Sequence, residues 1–174
     1  MRFTAAEAAR AVNGVLDGPD AIVDGAAFDS RTLRPGQLFV PIVAERDGHA
    51  FIDAALDAGA SAYLTTGARA TDRSATAIVV ADTTQALLDL GRWARGRVPD
   101  RVIGITGSVG KTSVKDLARV VVAARWRTAA NEKSFNNEWG LPVTILGAPD
   151  DTEAMVLEMG MRGFGQITQL CEVG

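Results

Sequence analysis

The chain has 174 residues, of which 47% are hydrophobic and 22% are charged, and its formal net charge is −3 at pH 7. This length allows one medium domain or two small ones, and the apolar fraction is sufficient for a core. The slightly acidic balance, without a block of Lys and Arg, argues against nucleic acid as a partner.

The sequence also argues against a membrane protein. No apolar run approaches the length of a membrane span, and the N-terminus lacks the apolar region of a secretory signal. Cys171 is the single cysteine, which excludes an internal disulfide and fits a reducing cytoplasm. We expect Cys171 to act as a small buried hydrophobe.

The first part of the chain alternates between helical and strand patterns. Thr4-Ala5-Ala6-Glu7 has the spacing of a capping box, which predicts a helix to Val12, ended by Asn13-Gly14. Pro41 indicates either an edge strand or the end of a strand. The further predicted elements, in chain order, are strands 22–28 and 38–42, a loop at 47–49, a helix over 50–58, strands 62–65 and 77–80, and a helix over 83–95.

Gly, Pro and charged residues coincide at 95–100, which indicates a domain boundary. We predict two units, residues 1–98 and 99–174, in an α/β fold whose second unit is the first part of a phosphate-loop parallel sheet. That unit is short for such a domain, so we expect a longer protein. Its predicted elements are a strand at 102–105, a helix over 112–124, a strand at 127–129, a polar loop at 131–137, a helix over 138–146, a strand at 154–158 and a helix over 165–172.

Residues 102–115 show the order of strand, glycine loop and helix that binds phosphate in many proteins. The strand is apolar and β-branched, which predicts burial on both faces. Gly107 and Gly110 allow backbone N–H groups to point at one anion, and the following helix adds its positive end. Lys111 could bind the β- and γ-phosphates and Thr112 could ligate Mg²⁺. Ile105 replaces the first glycine of the usual pattern, so a flexible turn with a solvated lysine is the alternative.

Several polar residues could complete a site around this loop. Glu158 ends an apolar strand, where ligands gather in parallel sheets, and could hold Mg²⁺ or serve only as a strand-end cap. Asn136 and Asn137 offer amide donors and acceptors, although such pairs are often turns. Lys115 has the spacing of a solvated helix charge.

The first unit offers fewer candidates. Arg31 could clamp a phosphate. His49, the only histidine, is more often a solvated or structural residue in such a loop.

Three motifs together resemble the Mur ligase family. Residues 106–115 are similar to its ATP-binding loop, in which the first glycine of the usual pattern is also absent. Residues 135–144 and 157–163 resemble motifs of one branch of the family, and residues 29–31, 36–40 and 47–51 resemble its N-terminal substrate domain. The resemblance implies that ATP is bound by Thr106, Gly107, Ser108, Val109, Gly110, Lys111, Thr112 and Ser113.

The resemblance also implies a reaction, in which D-alanyl-D-alanine is joined to UDP-N-acetylmuramoyl-tripeptide through an acyl-phosphate. It implies a monomer with Lys111 and Glu158 in catalysis, and with Mg²⁺ on Thr112 and Glu158. The implied substrate residues are Ser30, Arg31 and His49 near the uridine diphosphate, and Asn136 and Asn137 near the reacting end.

The family's later histidine, modified lysine and C-terminal domain would follow Gly174, so we expect the chain alone to be inactive. The alternatives are a nucleotide- or UDP-sugar-binding module without ligase activity, and another Mur-type ligase.

Overall fold

The computed structural model describes residues 1–67, 75–132 and 135–174. Lys133 and Ser134, which belong to the predicted polar loop, lie outside these residues. The chain divides into two compact units, Met1–Leu90 and Gly91–Gly174. The boundary at 98/99 between functional domains stays a prediction.

The first unit is an α/β unit in which short strands are interspersed with helices. Its elements are β1 (Arg2–Thr4), α1 (Ala5–Ala11), β2 (Val15–Asp17), β3 (Ile22–Asp24), β4 (Ala26–Ala27), β5 (Leu38–Phe39), a 3-10 helix (Gly48–Phe51), α2 (Ile52–Asp57), β6 (Ala62–Thr65) and β7 (Thr76–Val79), followed by α3 (Thr83–Arg95), which begins in this unit.

Five strands of this unit form one mixed sheet, in the order β2-β7-β6-β5-β4. All neighbours in it are parallel except β2 and β7, while β1 and β3 form a separate antiparallel pair. Phe39 and Tyr63 from adjacent strands pack with Ile52 and Ala55 of α2 in a buried cluster. The alternation of β-strands and helices confirms the predicted α/β class.

Local sequence explains the start of the unit. The Thr4 hydroxyl accepts a hydrogen bond from the Glu7 backbone N–H at 3.2 Å, and a Glu7 carboxylate oxygen accepts the Thr4 N–H at 2.8 Å. This reciprocal pair is the predicted capping box, and it confirms the first helix. Asn13 follows the helix with a φ of +52°, a conformation that asparagine tolerates better than most residues.

Three sequence-based predictions in this unit were wrong in extent. The strand predicted at 22–28 is broken by Gly25, whose φ of +78° interrupts extended backbone, so β3 and β4 join different sheets. The strand predicted at 38–42 ends at Phe39. Because β5 lies between β4 and β6, Pro41 follows the end of a strand and does not mark an edge. The loop predicted at 47–49 is mostly a 3-10 helix that begins at Gly48.

The second unit contains a parallel three-stranded sheet in the order β8-β10-β9. The central strand, β10, is buried along its whole length, and α4 packs mainly on β10 and β9. The elements are β8 (Val102–Ile105), α4 (Lys111–Ala123), β9 (Thr128–Ala130), α5 (Gly140–Leu146), β10 (Ala154–Glu158) and α6 (Gln166–Val173).

Two segments of this unit that were predicted to be buried are exposed. The strand that precedes the glycine loop is not buried on both faces: Ile103 is 43% exposed, and β8 lies at the edge of the three-stranded sheet among the described residues. Cys171 is exposed on α6 and is not a buried hydrophobe, although its Sγ lies 3.8 Å from the Met159 sulfur. Among the described residues, no helix is long and apolar enough to cross a membrane.

Candidate functional site

The glycine loop joins the carboxyl end of β8 to the N-terminus of α4, as the sequence predicted. Gly110 occupies the N-cap position with a φ of +77°, and it has no side chain that could satisfy the first N–H groups of the helix. Residues 106–110 are all exposed. The loop therefore presents free backbone donors and the positive end of a helix to an anion.

Lys111 is held against this loop. Its Nζ donates to the Gly107 carbonyl oxygen at 2.7 Å, a bond across four residues. The ammonium group thus lies against the loop, in a contact that is exposed to solvent. Its role toward a phosphate stays a prediction. A phosphate on the loop amides would lie in the field of this charge.

The Glu158 carboxylate contacts side chains from two other segments of the site. It is only 2% exposed at the end of β10. Its Oε2 accepts the Thr112 hydroxyl hydrogen bond at 2.9 Å, and its Oε1 accepts from the Asn136 amide Nδ2 at 2.7 Å. Three separate segments thus bring a hydroxyl, an amide and a carboxylate together.

This arrangement fits a small divalent cation bound together with a phosphate. The oxygens of Thr112 and Glu158 are hard ligands of the kind that Mg²⁺ prefers. Both neighbours of the carboxylate are neutral, and no cationic side chain of the described residues lies within 4.0 Å of it. The described part also has no cluster of three His, Cys, Asp or Glu that could form an all-protein cage. Phosphate oxygens would supply the remaining ligands.

The two asparagines of the polar loop have different contacts. Asn136 binds Glu158, whereas the Asn137 Oδ1 accepts the backbone N–H of Gly140 at 2.9 Å and that of Trp139 at 3.3 Å. Asn137 therefore caps the start of α5, as turn asparagines often do. Its role toward a substrate stays a prediction.

Gly160 was not among the residues predicted from the sequence. Its N–H donates to the Asn136 carbonyl oxygen at 2.7 Å. A Cβ at this position would lie 2.9 Å from both Cγ and Oδ1 of Asn136. A side chain at position 160 would therefore displace the Asn136 amide, which contacts the Glu158 carboxylate, and no local pattern in the sequence predicts this constraint.

Lys115 is not the solvated charge that the helical spacing predicted. It is 4% exposed, on the inner side of α4, and its Nζ donates to the Asn131 carbonyl oxygen at 2.8 Å and lies 3.1 Å from Asp116 Oδ1. Asn131 is buried too, and its side-chain Oδ1 accepts the Glu158 N–H at 2.6 Å. The sequence placed Asn131 only in a polar loop.

The first unit holds Arg31 in an ion pair with Asp29. Arg31 Nε donates to Asp29 Oδ1 at 2.9 Å and Nη2 donates to Oδ2 at 2.7 Å, which makes the ion pair bidentate. The side-chain hydrogen bond from Arg31 lowers the pKa of Asp29. Ser30, which lies between these two residues in the sequence, is half-buried, and Arg31 is exposed.

His49 is held by Asp47 and Thr66. Its Nδ1 lies 2.6 Å from Asp47 Oδ1, and its Nε2 accepts the Thr66 backbone N–H at 3.3 Å. In the tautomer that satisfies both contacts, the proton is on Nδ1. The backbone hydrogen bond from His49 lowers the pKa of Asp47. No described contact joins His49 to Arg31.

Comparison with known proteins assigns the family. The Mur ligase middle domain matches residues 105–173, the segment that carries the glycine loop, Asn136 and Glu158. A Bacillus subtilis protein named UDP-N-acetylmuramoyl-tripeptide–D-alanyl-D-alanine ligase is 39% identical over 98% of this chain. The chain belongs to the Mur ligase family. An Escherichia coli Mur ligase with the same name is 38% identical over 90% of this chain.

Solved Mur ligase structures share the fold. The ligase from Acinetobacter baumannii matches 98% of this chain with a TM-score of 0.85 and 26% identity. The MurF ligase from Thermotoga maritima, solved in complex with ADP, matches 87% with a TM-score of 0.73 and 32% identity. The chain spans 38% and 34% of the two curated relatives, and 39% and 35% of the two structures.

Proposed function

We propose that the chain carries the UDP-substrate-binding domain (1–98) and the first part of the ATP-binding domain (99–174) of an ATP-dependent amide ligase. The ligase would join D-alanyl-D-alanine to UDP-N-acetylmuramoyl-tripeptide in peptidoglycan precursor synthesis. The main support is the convergence of Thr112, Asn136 and Glu158 beside an open phosphate loop. The names of the relatives supply the substrates.

The proposed chemistry has two steps. The substrate carboxylate attacks the γ-phosphorus of ATP, which forms an acyl-phosphate and releases ADP. The amine of D-alanyl-D-alanine then attacks the acyl carbon, inorganic phosphate leaves, and the amine proton passes to the medium. Such chemistry requires mainly positioning and neutralisation of charge.

The residues of this chain supply part of that requirement. The loop amides of 106–113 and the Lys111 ammonium would bind the phosphates, and Thr112 and Glu158 would hold Mg²⁺. Mg²⁺ at that position would neutralise charge on the phosphates. Asn136 orients the Glu158 carboxylate through its amide and borders the reacting end of the substrate.

The substrate's nucleotide end belongs to the first unit in this proposal. The Arg31 guanidinium is exposed and is oriented by Asp29, which suits a diphosphate. Ser30 and His49 complete this set. We further propose that the protein works as a monomer in the cytoplasm.

The proposal is tested in the full-length protein by measuring phosphate release from ATP. Release should require both UDP-N-acetylmuramoyl-tripeptide and D-alanyl-D-alanine. Lys111→Ala should reduce it by about 100-fold or more, because a preorganised charge on the transferred group is lost. Arg119→Ala, which removes an exposed cation from the same helix, is the control and should retain activity.

The alternatives give different results. A protein that binds ATP but releases no phosphate with this pair would be a binding module and would refute the ligase proposal. Release that depends on a different amino-acid substrate would indicate another Mur-type ligase. We expect no turnover from the 174-residue chain by itself.

A further inference from the structure

We propose that Lys115 and Asn131 are positioning residues that fix Glu158 for cation binding. This inference rests on the proposed function, since it assumes that Glu158 holds the divalent cation. It concerns two buried residues that do not touch the Glu158 carboxylate themselves.

The burial of Lys115 requires an explanation. An ammonium group that leaves water loses several kcal/mol of hydration unless close partners replace it. Lys115 has two described partners, the Asn131 carbonyl oxygen at 2.8 Å and the Asp116 carboxylate at 3.1 Å. Asp116 is largely exposed, so its compensation is screened by water. The hydrogen bond to the Asn131 carbonyl oxygen is therefore the main contact that compensates the buried ammonium group, and it fixes the Asn131 main chain.

Asn131 passes this constraint to Glu158. Its Oδ1 accepts the Glu158 backbone N–H at 2.6 Å, and its Nδ2 donates to the Glu158 backbone carbonyl oxygen at 3.2 Å. The same Nδ2 also donates to the Phe135 carbonyl oxygen. A single buried amide thus binds both polar groups of one peptide residue and links them to the polar loop.

The two hydrogen bonds between the Asn131 side chain and the Glu158 main chain, here called the Asn131 clamp, take the place of pairing between β9 and β10 beyond the end of β9. β9 ends at Ala130, whose ladder partner is Val156, so Glu158 lies beyond the paired register of these two strands. The Asn131 side chain supplies on that side the hydrogen bonds that a longer β9 would have supplied. At Glu158, β10 is therefore held by pairing with β8 on one side and by the Asn131 side chain on the other. The carboxylate contacts Thr112 and Asn136.

A series of contacts connects α4 to Glu158. Lys115 binds the Asn131 main chain, and the Asn131 side chain binds the Glu158 main chain. Together these contacts fix the orientation of the Glu158 carboxylate. A ligand carboxylate needs such support, because residues behind a metal site orient the groups that bind the metal. Since Lys111 and Thr112 begin the helix that carries Lys115, the glycine loop and Glu158 are both supported by α4.

The test measures binding of Mn²⁺, as a probe for Mg²⁺, to the full-length protein with a non-hydrolysable ATP analogue by electron paramagnetic resonance. The variants are Lys115→Met, Asn131→Ala and the double variant. Glu158→Gln serves as the reference for loss of the ligand, and Arg119→Met as the control for loss of an exposed cation on α4. Thermal unfolding and the KM for the UDP-linked substrate are measured in parallel.

We expect Lys115→Met and Asn131→Ala each to weaken Mn²⁺ binding by about 3- to 10-fold, less than Glu158→Gln but more than Arg119→Met. The double variant should weaken binding no more than the stronger single variant, because both residues act through one path. The KM for the UDP-linked substrate should change little. Lys115→Arg should restore part of the affinity, since it keeps the charge and the donor.

Other results would overturn the inference. If Glu158→Gln weakens Mn²⁺ binding while Lys115→Met and Asn131→Ala only lower the unfolding temperature, the two residues are structural. If Glu158→Gln leaves Mn²⁺ binding unchanged, the proposed metal role of Glu158 fails and the inference fails with it. Should Asn131→Ala not fold, Asn131→Asp preserves the shape but removes the donor to the Glu158 carbonyl, and unchanged Mn²⁺ affinity in it would refute the clamp.

Discussion

At the scale of single residues, chemical type and local context are sufficient to identify Lys111, Thr112 and Glu158 as candidates from the amino-acid sequence. A glycine loop and a strand end are local signals, so they can be found in a sequence. Lys115 and Asn131 could not be found in this way. Their partners lie 16 and 27 residues away, and only the packing of α4 on the sheet turns Lys115 inward.

The close approach of Gly160 to Asn136 leads to a prediction at this scale. Gly160→Ala places a methyl group 2.9 Å from the Asn136 side-chain oxygen, so the amide must move away from Glu158. We expect weaker cation binding and lower activity in the full-length protein, with a stability loss of about 1–3 kcal/mol measured by urea unfolding. Gly163→Ala is the control, because a Cβ there meets nothing within 4 Å. Equal effects of the two substitutions would contradict the prediction.

At the scale of elements, the strong periodic signals were reliable. The helix predicted over 83–95 is α3, and the strand predicted at 154–158 is β10. β1 and β2, of three residues each, were not predicted, because three residues give too little alternation to identify a strand reliably. β9 has the same length and was predicted one residue early, at 127–129. The broken strand at 22–28 shows a related limit. Whether a glycine interrupts a strand depends on which neighbours its two halves pair with, and this is decided by tertiary structure.

Helix packing in the second unit gives a prediction at Gly91. A Cβ there would lie 2.8 Å from Pro142 Cβ of α5 and 2.8 Å from Val173 Cγ1 of α6. Alanine gains about 1 kcal/mol in helix propensity over glycine, but overpacking costs about 1–3 kcal/mol, so the clash should prevail. We expect Gly91→Ala to lower the unfolding temperature measured by calorimetry.

Gly96 provides the matched control for Gly91. It follows the end of α3, and a Cβ there would approach nothing closer than 3.4 Å. Gly96→Ala should therefore leave the unfolding temperature near that of the unmodified protein. A stabilised Gly91→Ala variant would show that the three helices can separate without cost.

At the scale of the whole molecule, α4 leaves one apolar row uncovered in the described structure. Val114, Leu117 and Val121 are spaced along one side of the helix, and all three are exposed. Contiguous apolar surface of this kind promotes association. We expect the 174-residue chain to self-associate with rising concentration in sedimentation velocity, and Leu117→Gln to reduce this association.

The control for Leu117→Gln removes an exposed valine outside that row. Val43 is 58% exposed, compared with 69% for Leu117. Val43→Gln should leave association unchanged, because Val43 does not belong to the row on α4. If both substitutions reduce association equally, general surface hydrophobicity is the cause, and the apolar row on α4 is not the association surface.

The contacts around Glu158 also make the site a reporter of folding. Thr112 is 46 residues from Glu158 and Asn136 is 22 residues from it, so their meeting requires the sheet and α4 together. An unfolded chain has no such site and cannot compete for its ligand. Any ligand that binds there shifts the folding equilibrium toward the native state, by about 2.7 kcal/mol at a concentration 100 times its dissociation constant. The midpoint of unfolding is thus a gauge of ligand occupancy that requires no turnover.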